Sequence, residues 1–342
     1  MTFIADFLRQ IKREENRGRC LHFDSGGQCN EIIDAHSIQR SGQLAEIEED
    51  GHVYQFSSNL SVLKKSGGKP APRKIGWNGA TTFAGFCKRH DNEVFKSIDG
   101  GPISPNSEQV SLYAYRCLCR EYFVKENAVK VFWTVKDHRG VDANTREMLQ
   151  LVQQGNEFGF AQLRLHKEQY DEAMRSRAFG DFDYLTFTSS SPWSLQLSGV
   201  LYPDYDFLGQ RIQYLGDDSV SLSLVTFFTA PHSSGWTFTL CWHVSSRIPC
   251  ENFARSLASL AHSGGSLEDA LLRFSISCCE NHAFRISWWD ALAPESKRAL
   301  VERVALMARP HLPVPPWYLA KGLDGVANWK FKYVYTSIPA ST

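Results

Sequence analysis

The chain contains 342 residues, of which 43% are hydrophobic and 13% aromatic, so it can bury substantial hydrophobic cores and fits about two or three domains. Lys plus Arg and Asp plus Glu number 37 each, and this balance excludes a globally positive surface that would attract nucleic acid. No apolar run approaches the roughly 20 residues that span a bilayer. Asp6 and Arg9 interrupt the N-terminal segment before a signal-peptide core forms. We therefore expect a cytoplasmic protein without a membrane partner.

Composition divides the chain into three predicted regions. An N-terminal module occupies residues 1–100, which are rich in Gly, Lys, Arg and His, and a stretch rich in Gly, Pro and Ser over 97–109 marks its end. Residues 101–180 are expected to form a helical region, and residues 181–342 a β-rich domain with flanking helices. The predicted fold class is therefore α+β.

Periodicity supports this division. From Val110 the apolar residues recur at steps of three and four, and Asn144 opens a capping box that would begin a second helix. Alternation over 220–224 and 236–243 predicts two strands joined by a hairpin turn at 231–235. Two further elements are predicted near the C-terminus, namely a helix over 294–308 and an aromatic strand that includes Trp329, Phe331, Tyr333 and Tyr335.

Four residues form a candidate tetrahedral metal site, namely Cys20, Cys29, Cys87 and His90. Nine cysteines are too sparse here for a secreted disulfide scaffold, which favours free thiols and one metal site. Turn-forming residues between Cys20 and Cys29 can bring these two sulfurs together, and the three-residue step from Cys87 to His90 puts both on one face of a helix. Thiolates plus imidazole suit Zn²⁺, so we expect a structural zinc site. The alternative is buried thiols and a surface histidine without a common metal.

The segments around these ligands resemble HNH endonucleases, whose zinc-bound members combine a treble clef with a ββα-metal site. The resemblance covers residues 20–96 and rests on three segments, EIIDAHSIQR, SSNLSVL and CKRHDN. It implies that His36 is the general base for the attacking water, that Asn59 orients this histidine, and that Asp91 is a ligand of a catalytic Mg²⁺ or Mn²⁺ ion. A cation that neutralises charge on phosphate oxygens and an imidazole that accepts the proton of water make a coherent mechanism.

Some positions differ from the family pattern. HNH enzymes usually carry a metal ligand directly before the catalytic histidine, where this chain has Ala35. Asp34 comes one residue earlier, and alternation along a strand predicts that it faces the other way. Asn78 is an alternative to Asn59 as the middle motif residue, and His36 could itself bind zinc, with one of the other four ligands spare.

A local run of basic residues favours contact with nucleic acid. Between residues 51 and 90 there is no Asp or Glu, while the loop-forming Gly67, Gly68 and Pro70 keep the segment irregular. The candidate nucleic-acid contacts are Lys64, Lys65, Lys69, Arg73, Lys74, Lys88 and Arg89, with Trp77 as a stacking residue. The alternative is a solvated insertion that balances the preceding acidic run of Glu46, Glu48, Glu49 and Asp50.

Other polar groups are expected to be structural. Cys241 and His243 share one face of a strand, and residues 278–282 form a compact CCENH group ahead of two tryptophans. The sequence contains no phosphate-binding loop, dinucleotide-binding or nucleophile-elbow motif.

Together these patterns predict a zinc-binding protein that acts on nucleic acid, as an HNH-like metal-dependent endonuclease. The resemblance further implies a setting in bacterial defence or mobile-element biology. The C-terminal half would then recognise a protein partner or a small ligand. The alternative is a non-catalytic, zinc-stabilised module that binds nucleic acid or protein.

Overall fold

The computed structural model describes residues 2–26, 29, 31–57, 60–190, 193–217, 219–307 and 314–339, and it confirms the predicted α+β class. The helices are α1 (Phe3–Glu15), α2 (Leu60–Lys65), α3 (Lys88–Asp99), α4 (Ser107–Val135), α5 (Ala143–Ser176), α6 (Arg247–His262), α7 (Leu267–Cys278), α8 (Ile286–Ala291) and α9 (Pro294–Met307). The strands are β1 (Ile32–His36), β2 (His52–Ser57), β3 (Ala71–Gly76), β4 (Thr82–Cys87), β5 (Phe182–Ser189), β6 (Leu195–Leu201), β7 (Val225–His232), β8 (Gly235–His243), β9 (His282–Phe284) and β10 (Phe331–Thr336).

The N-terminal region contains a small antiparallel sheet followed by a helix. β1 pairs with β4, and α3 begins directly after β4, with Cys87 as its N-cap. Phe86 and Phe95 are fully buried between sheet and helix, with ring centroids 5.2 Å apart in an edge-to-face arrangement. Aromatic pairs of this geometry add stabilisation beyond the area they bury, so this contact fixes α3 against the sheet.

A second, eight-stranded sheet has the order β10-β5-β8-β7-β6-β9-β2-β3, and all of its recorded pairings are antiparallel. β2 and β3 lie within the N-terminal region of the chain, but Tyr54 of β2 pairs with Phe284 of β9. The paired strands β2 and β3 therefore extend the sheet of the C-terminal region. The predicted boundaries at residues 100 and 180 fall in the connections that follow α3 and α5.

The predicted helical middle consists of α4 and α5, which pack against each other and begin at side-chain caps. The Asn106 side chain accepts a hydrogen bond from the Gln109 amide, and the Asp142 side chain accepts one from the Thr145 amide at 2.7 Å. The prediction that Asn144 begins α5 was wrong by two residues, because Asp142 is also an N-cap former and lies first. α4 also packs on the large sheet, where Tyr113 stacks on Phe228 at 4.7 Å.

The predicted hairpin is present as β7 and β8, with its turn between His232 and Gly235. Its first strand begins at Val225, so the strand predicted over 220–224 is absent. The amides there bond to side chains, since Leu222 donates to Gln162 Oε1 and Leu224 donates to Ser246 Oγ, instead of to a neighbouring strand. The helix predicted from residue 294 is present as α9. The predicted aromatic strand is present as β10, which begins at Phe331 and leaves out Trp329. Within the described ranges no helix is both long and apolar enough to cross a membrane.

Candidate metal centre and adjoining cleft

Cys20, Cys29, Cys87 and His90 meet in one group, as the sequence predicts. One ligand atom from each residue lies within 4.8 Å of every other. Nδ1 of His90 is 3.3 Å from the sulfur of Cys20 and 3.5 Å from that of Cys29. Three sulfur atoms and one nitrogen at this spacing can hold a tetrahedral metal ion.

Local backbone hydrogen bonds bring the ligands together. Leu21 donates to the Gly85 carbonyl at 2.8 Å, which holds the segment carrying Cys20 beside β4 and therefore near Cys87. The Gly26 amide donates to the sulfur of Cys29 at 3.4 Å, so the tight loop supports this ligand directly. Amide donors at a thiolate sulfur stabilise its charge, as expected for a metal ligand.

His22 is a neighbour of the metal group that the sequence analysis did not single out. Its ring stacks on His90, with centroids 3.9 Å apart and planes 10° apart. Burial, followed by the neighbouring His90, lowers the pKa of His22 to about 4, so its ring is neutral at physiological pH. Arg89 lies on the other nitrogen of His90, 2.6 Å from Nε2, which leaves Nδ1 directed at the sulfurs. His36 does not belong to this group.

A separate open cleft of about 330 Å³ lies between β1, α3 and α4. Its titratable lining includes His36 at the end of β1, Asp91 in the first turn of α3 and Asp99 at the end of that helix. Arg116 reaches the cleft from α4, and Asp34 from β1. The structure thus brings two of the three predicted catalytic residues to one cavity. The third, Asn59, lies outside the described residues.

Asp34 also lines this cleft, as do its neighbours Ile33 and Ala35 on β1, and it lines a second cavity as well. The pairing of β1 with β4 shifts register between Ile33 and Ala35. Two residues of β1 span three of β4 at this point, so the extra residue of the bulge lies in β4 and the alternation along β1 is unbroken. Asp34 is nevertheless an acidic residue at the cleft, although Ala35 occupies the position directly before His36.

His36 keeps one ring nitrogen without a partner. The backbone of Asn78 lies near the ring and opposes the lowering of its pKa, which places Asn78 beside this histidine through its main chain. Nε2 is buried and has no hydrogen-bond partner among the described atoms. Burial, followed by the charge of Arg40, lowers the pKa of His36, so the ring is neutral near pH 7. A neutral imidazole with a free nitrogen can accept a proton or a metal ion.

Arg116 is a further charged residue of the cleft. Its side chain is about 96% buried, and Nη2 lies 2.9 Å and 3.0 Å from the two carboxylate oxygens of Asp99. The guanidinium also lies 4.0 Å from the ring centroid of Phe95, while Nε is buried without a hydrogen-bond partner in the described residues. Burial raises the pKa of Asp91, and the charge of Arg116 opposes this rise. A sequence signal for Arg116 existed, since it interrupts the apolar run VSLYAYRCLC.

The cleft does not contain a preformed three-ligand metal cluster. Across the part of the chain that the structure describes, no His, Cys, Asp or Glu group other than the Cys20 group brings three ligand atoms within 4.8 Å. Mg²⁺ is commonly bound through one or two carboxylates, with water and substrate phosphate as the other ligands. Asp34 and Asp91 both line the cleft and are the carboxylates from which such a site would be built.

The predicted nucleic-acid residues fall into two sets. Lys65, Arg73 and Lys74 are exposed, and no carboxylate lies within ion-pair distance of them in the described residues. The other residues have partners: Lys69 lies 3.9 Å from Glu302, Lys88 lies 3.5 Å from Glu31, and Arg89 contacts His90. The side chain of Lys64 lies outside the described residues.

Trp77 and the acidic run have structural contacts. The Trp77 ring is partly buried against Ile38 and its neighbours, and Arg40 lies 5.8 Å from its centroid, so part of the ring is already covered. Glu49 of the acidic run accepts hydrogen bonds from the amide and hydroxyl of Ser287. Nowhere in the described ranges does an acidic residue of that run pair with a lysine or arginine of the basic segment.

Comparison of the chain with protein-family models, curated proteins and solved structures finds no match.

Proposed function

We propose that this chain is a zinc-stabilised, HNH-like endonuclease that cleaves nucleic acid with the help of a divalent cation. The observation that carries the proposal is the meeting of His36 and Asp91 in one open cleft. None of the four residues of the metal group lines that cleft, so a structural metal and a reaction site can coexist on neighbouring elements.

The identity of the first metal follows from donor chemistry. Three cysteine sulfurs and one imidazole form a closed set of four ligands, which is typical of structural Zn²⁺ sites. The ligands come from the segment before β1, the end of β4 and the first turn of α3. Zinc bound there would cross-link these elements and fix the start of α3, which carries Asp91.

We assign the reaction to the cleft because its residues would supply both a proton acceptor and carboxylate ligands for a metal ion. The unpartnered Nε2 of His36 would accept the proton of an attacking water. Asp91 and Asp34 would hold a Mg²⁺ or Mn²⁺ ion through their carboxylates. Such an ion, when bound, supplies positive charge that stabilises the developing charge on a phosphate.

Arg116 would add a second source of positive charge. Its guanidinium is fixed by Asp99 on one side and by the Phe95 ring on another, so it needs little reorganisation during the reaction. Its buried Nε has no partner in the described residues. A phosphate oxygen in the cleft would complete that hydrogen bond.

Cleavage assays with matched variants test the assignment. Wild type, His36→Ala and Asp91→Asn are incubated with plasmid DNA, single-stranded DNA and RNA in Mg²⁺ or Mn²⁺. His262→Ala and Asp137→Asn are controls, because both residues are exposed and neither lines the cleft. We expect each cleft variant to lose about a hundredfold or more in rate and the controls to match wild type.

The same experiment separates the second candidate function, a non-catalytic zinc-stabilised binding module. The lack of a preformed three-ligand cluster in the described part of the cleft favours that alternative. Binding of nucleic acid without cleavage in any divalent metal would support it. Cleavage that persists unchanged in His36→Ala would instead remove His36 as the base.

A further inference from the structure

Two adjoining cavities lie on the side of the molecule where α1 packs. The larger has a volume of about 930 Å³ and the smaller about 620 Å³, within the size range of small-molecule sites. Phe7, Ile11, Glu15 and Arg120 line both. The larger cavity separates α1 from the end of α7 and from α9, so the N-terminal helix and the C-terminal region form its opposite walls.

The walls of the larger cavity are mainly apolar. α1 is anchored to α4 through Phe7, whose ring centroid lies 5.7 Å from that of Phe132. Toward the cavity α1 presents Ile4 and Leu8, which are 54% and 46% exposed. Partly exposed large aliphatic side chains around a cavity of this size favour an occupant that removes them from water.

His282 supplies a directional polar group in this apolar setting. The residue is 97% buried, and its Nδ1 lies 2.9 Å from the Cys279 carbonyl, so Nδ1 carries the proton and donates it there. Nε2 is buried and has no hydrogen-bond partner in the described residues, although the residue lines the cavity. A buried polar atom without a partner is costly, so a hydrogen-bond donor that reached this nitrogen from the cavity would remove that cost.

The charges of the cavity exclude an anionic occupant. Arg120 is paired with the carboxylate of Glu121, and the acidic Glu15 and Glu280 also line the cavity. The positive charge is therefore already balanced, and an additional anion would meet two carboxylates in a partly desolvated site. An uncharged ligand avoids this cost.

We infer that the cavity between α1 and α9 binds an uncharged, mainly apolar small molecule that donates an N–H or O–H group to Nε2 of His282. Neither His282 nor α1 lines the His36 cleft, so this site is distinct from the proposed reaction site. The inference does not depend on nuclease activity.

The fluorescent amine N-phenyl-1-naphthylamine is a suitable probe, because it is uncharged, apolar and carries one N–H. Titration of the full-length, zinc-loaded chain should give a saturable rise in fluorescence. The N-methylated form of the same dye lacks the donor and should bind about fivefold more weakly, the effect of one net hydrogen bond. In His282→Phe the two dyes should bind with equal affinity.

A cavity-filling variant provides a second test that does not alter His282. Ile11→Trp adds bulk to the α1 wall and should weaken binding of the first dye by about tenfold or more. The matched control Ile248→Trp changes an isoleucine that is 74% exposed and lies outside the cavity, and it should bind like wild type. The inference is overturned by the absence of saturable binding, by equal affinity of wild type for the two dyes, or by unchanged binding in folded Ile11→Trp.

Discussion

Arg116 holds Asp99 through a single nitrogen, since Nη2 lies 2.9 Å and 3.0 Å from the two carboxylate oxygens. The contact uses one terminal nitrogen of the guanidinium, and Nε is buried without a partner in the described residues. A purely structural ion pair more often uses two guanidinium nitrogens in a parallel, bidentate contact. A single terminal nitrogen thus carries both contacts of Arg116 with Asp99.

Replacement of Arg116 by lysine separates the two roles of the side chain. The shorter ammonium side chain keeps the charge and can still pair with Asp99, but it lacks the planar set of donors. We expect Arg116→Lys to lower the free energy of unfolding by about 1 to 3 kcal/mol, because the guanidinium is buried against Phe95, and to lower kcat about a hundredfold. Urea unfolding and single-turnover cleavage measure the two quantities. A variant that loses stability but keeps its kcat would show that Arg116 only supports the fold.

Cys87→Ser tests the metal centre. Wild type should contain about one zinc ion per chain, and the variant should bind it far more weakly, because one of four ligands is lost. Inductively coupled plasma mass spectrometry and thermal unfolding measure metal content and stability. Cys250→Ser is the matched control, since this thiol is similarly buried but belongs to the core of the C-terminal region. A folded, zinc-free wild type would contradict the assignment.

The metal group was predictable from sequence because its chemistry is local. Turn-forming residues close the loop between Cys20 and Cys29, and the step from Cys87 to His90 fits the first turn of a helix. Only the approach of the two halves to each other depends on tertiary structure. Cysteine and histidine residues at such spacings commonly come together to bind a metal ion. The four residues were therefore identified without coordinates.

The remainder of the cleft could not be predicted in this way. Arg116 comes from α4, and its approach depends on how that helix packs across the N-terminal sheet. The pairing of β1 with β4 contains a bulge in β4, and a bulge leaves little trace in a single sequence. The pairing of Tyr54 with Phe284 is equally non-local, so residues 52–76 were assigned to the N-terminal module alone.

Gly235, at the start of β8, occupies a position in the β7–β8 hairpin where a larger residue would not fit. Its φ is +140°, and a Cβ atom placed there would lie 2.1 Å from the Ser189 carbonyl oxygen. We expect Gly235→Ala to lower the free energy of unfolding by about 3 kcal/mol, from backbone strain and this clash. Gly264→Ala is the control, because Gly264 has φ +87° but open space around it, and it should cost about 1 kcal/mol. If urea unfolding shows that the two variants lose the same free energy of unfolding, backbone strain alone accounts for the loss and the clash does not contribute.

The exposed cations Lys65, Arg73 and Lys74 should contribute to nucleic-acid binding in a salt-dependent manner. Their combined replacement by glutamine should weaken binding and reduce the slope of log affinity against log salt by about 2 to 3, if each meets one phosphate. Fluorescence anisotropy at several salt concentrations measures the slope. The matched control replaces three exposed cations elsewhere, Lys12, Arg139 and Arg298. Equal loss in both proteins would indicate nonspecific charge attraction.

His282 should make the fold sensitive to acid. Burial lowers the pKa of this histidine to about 4 from an ordinary value of 6.5, with Arg120 also disfavouring the charged ring and the Cys279 carbonyl opposing the shift. The folded protein therefore binds this proton less readily than the unfolded chain does. The stability from the neutral ring is fully present above pH 6.5 and is lost as the pH falls toward 4, which amounts to about 3 kcal/mol.

Urea unfolding of wild type and His282→Phe between pH 7 and about 4 measures this loss. The metal ligands titrate alike in both proteins, so the difference between the two curves isolates the ring of His282. Wild type should lose about 3 kcal/mol more than the variant across this interval. His262→Phe, in which an exposed histidine is replaced, should follow the wild-type curve. Parallel curves for wild type and His282→Phe would mean that the ring is already accessible to protons in the folded state.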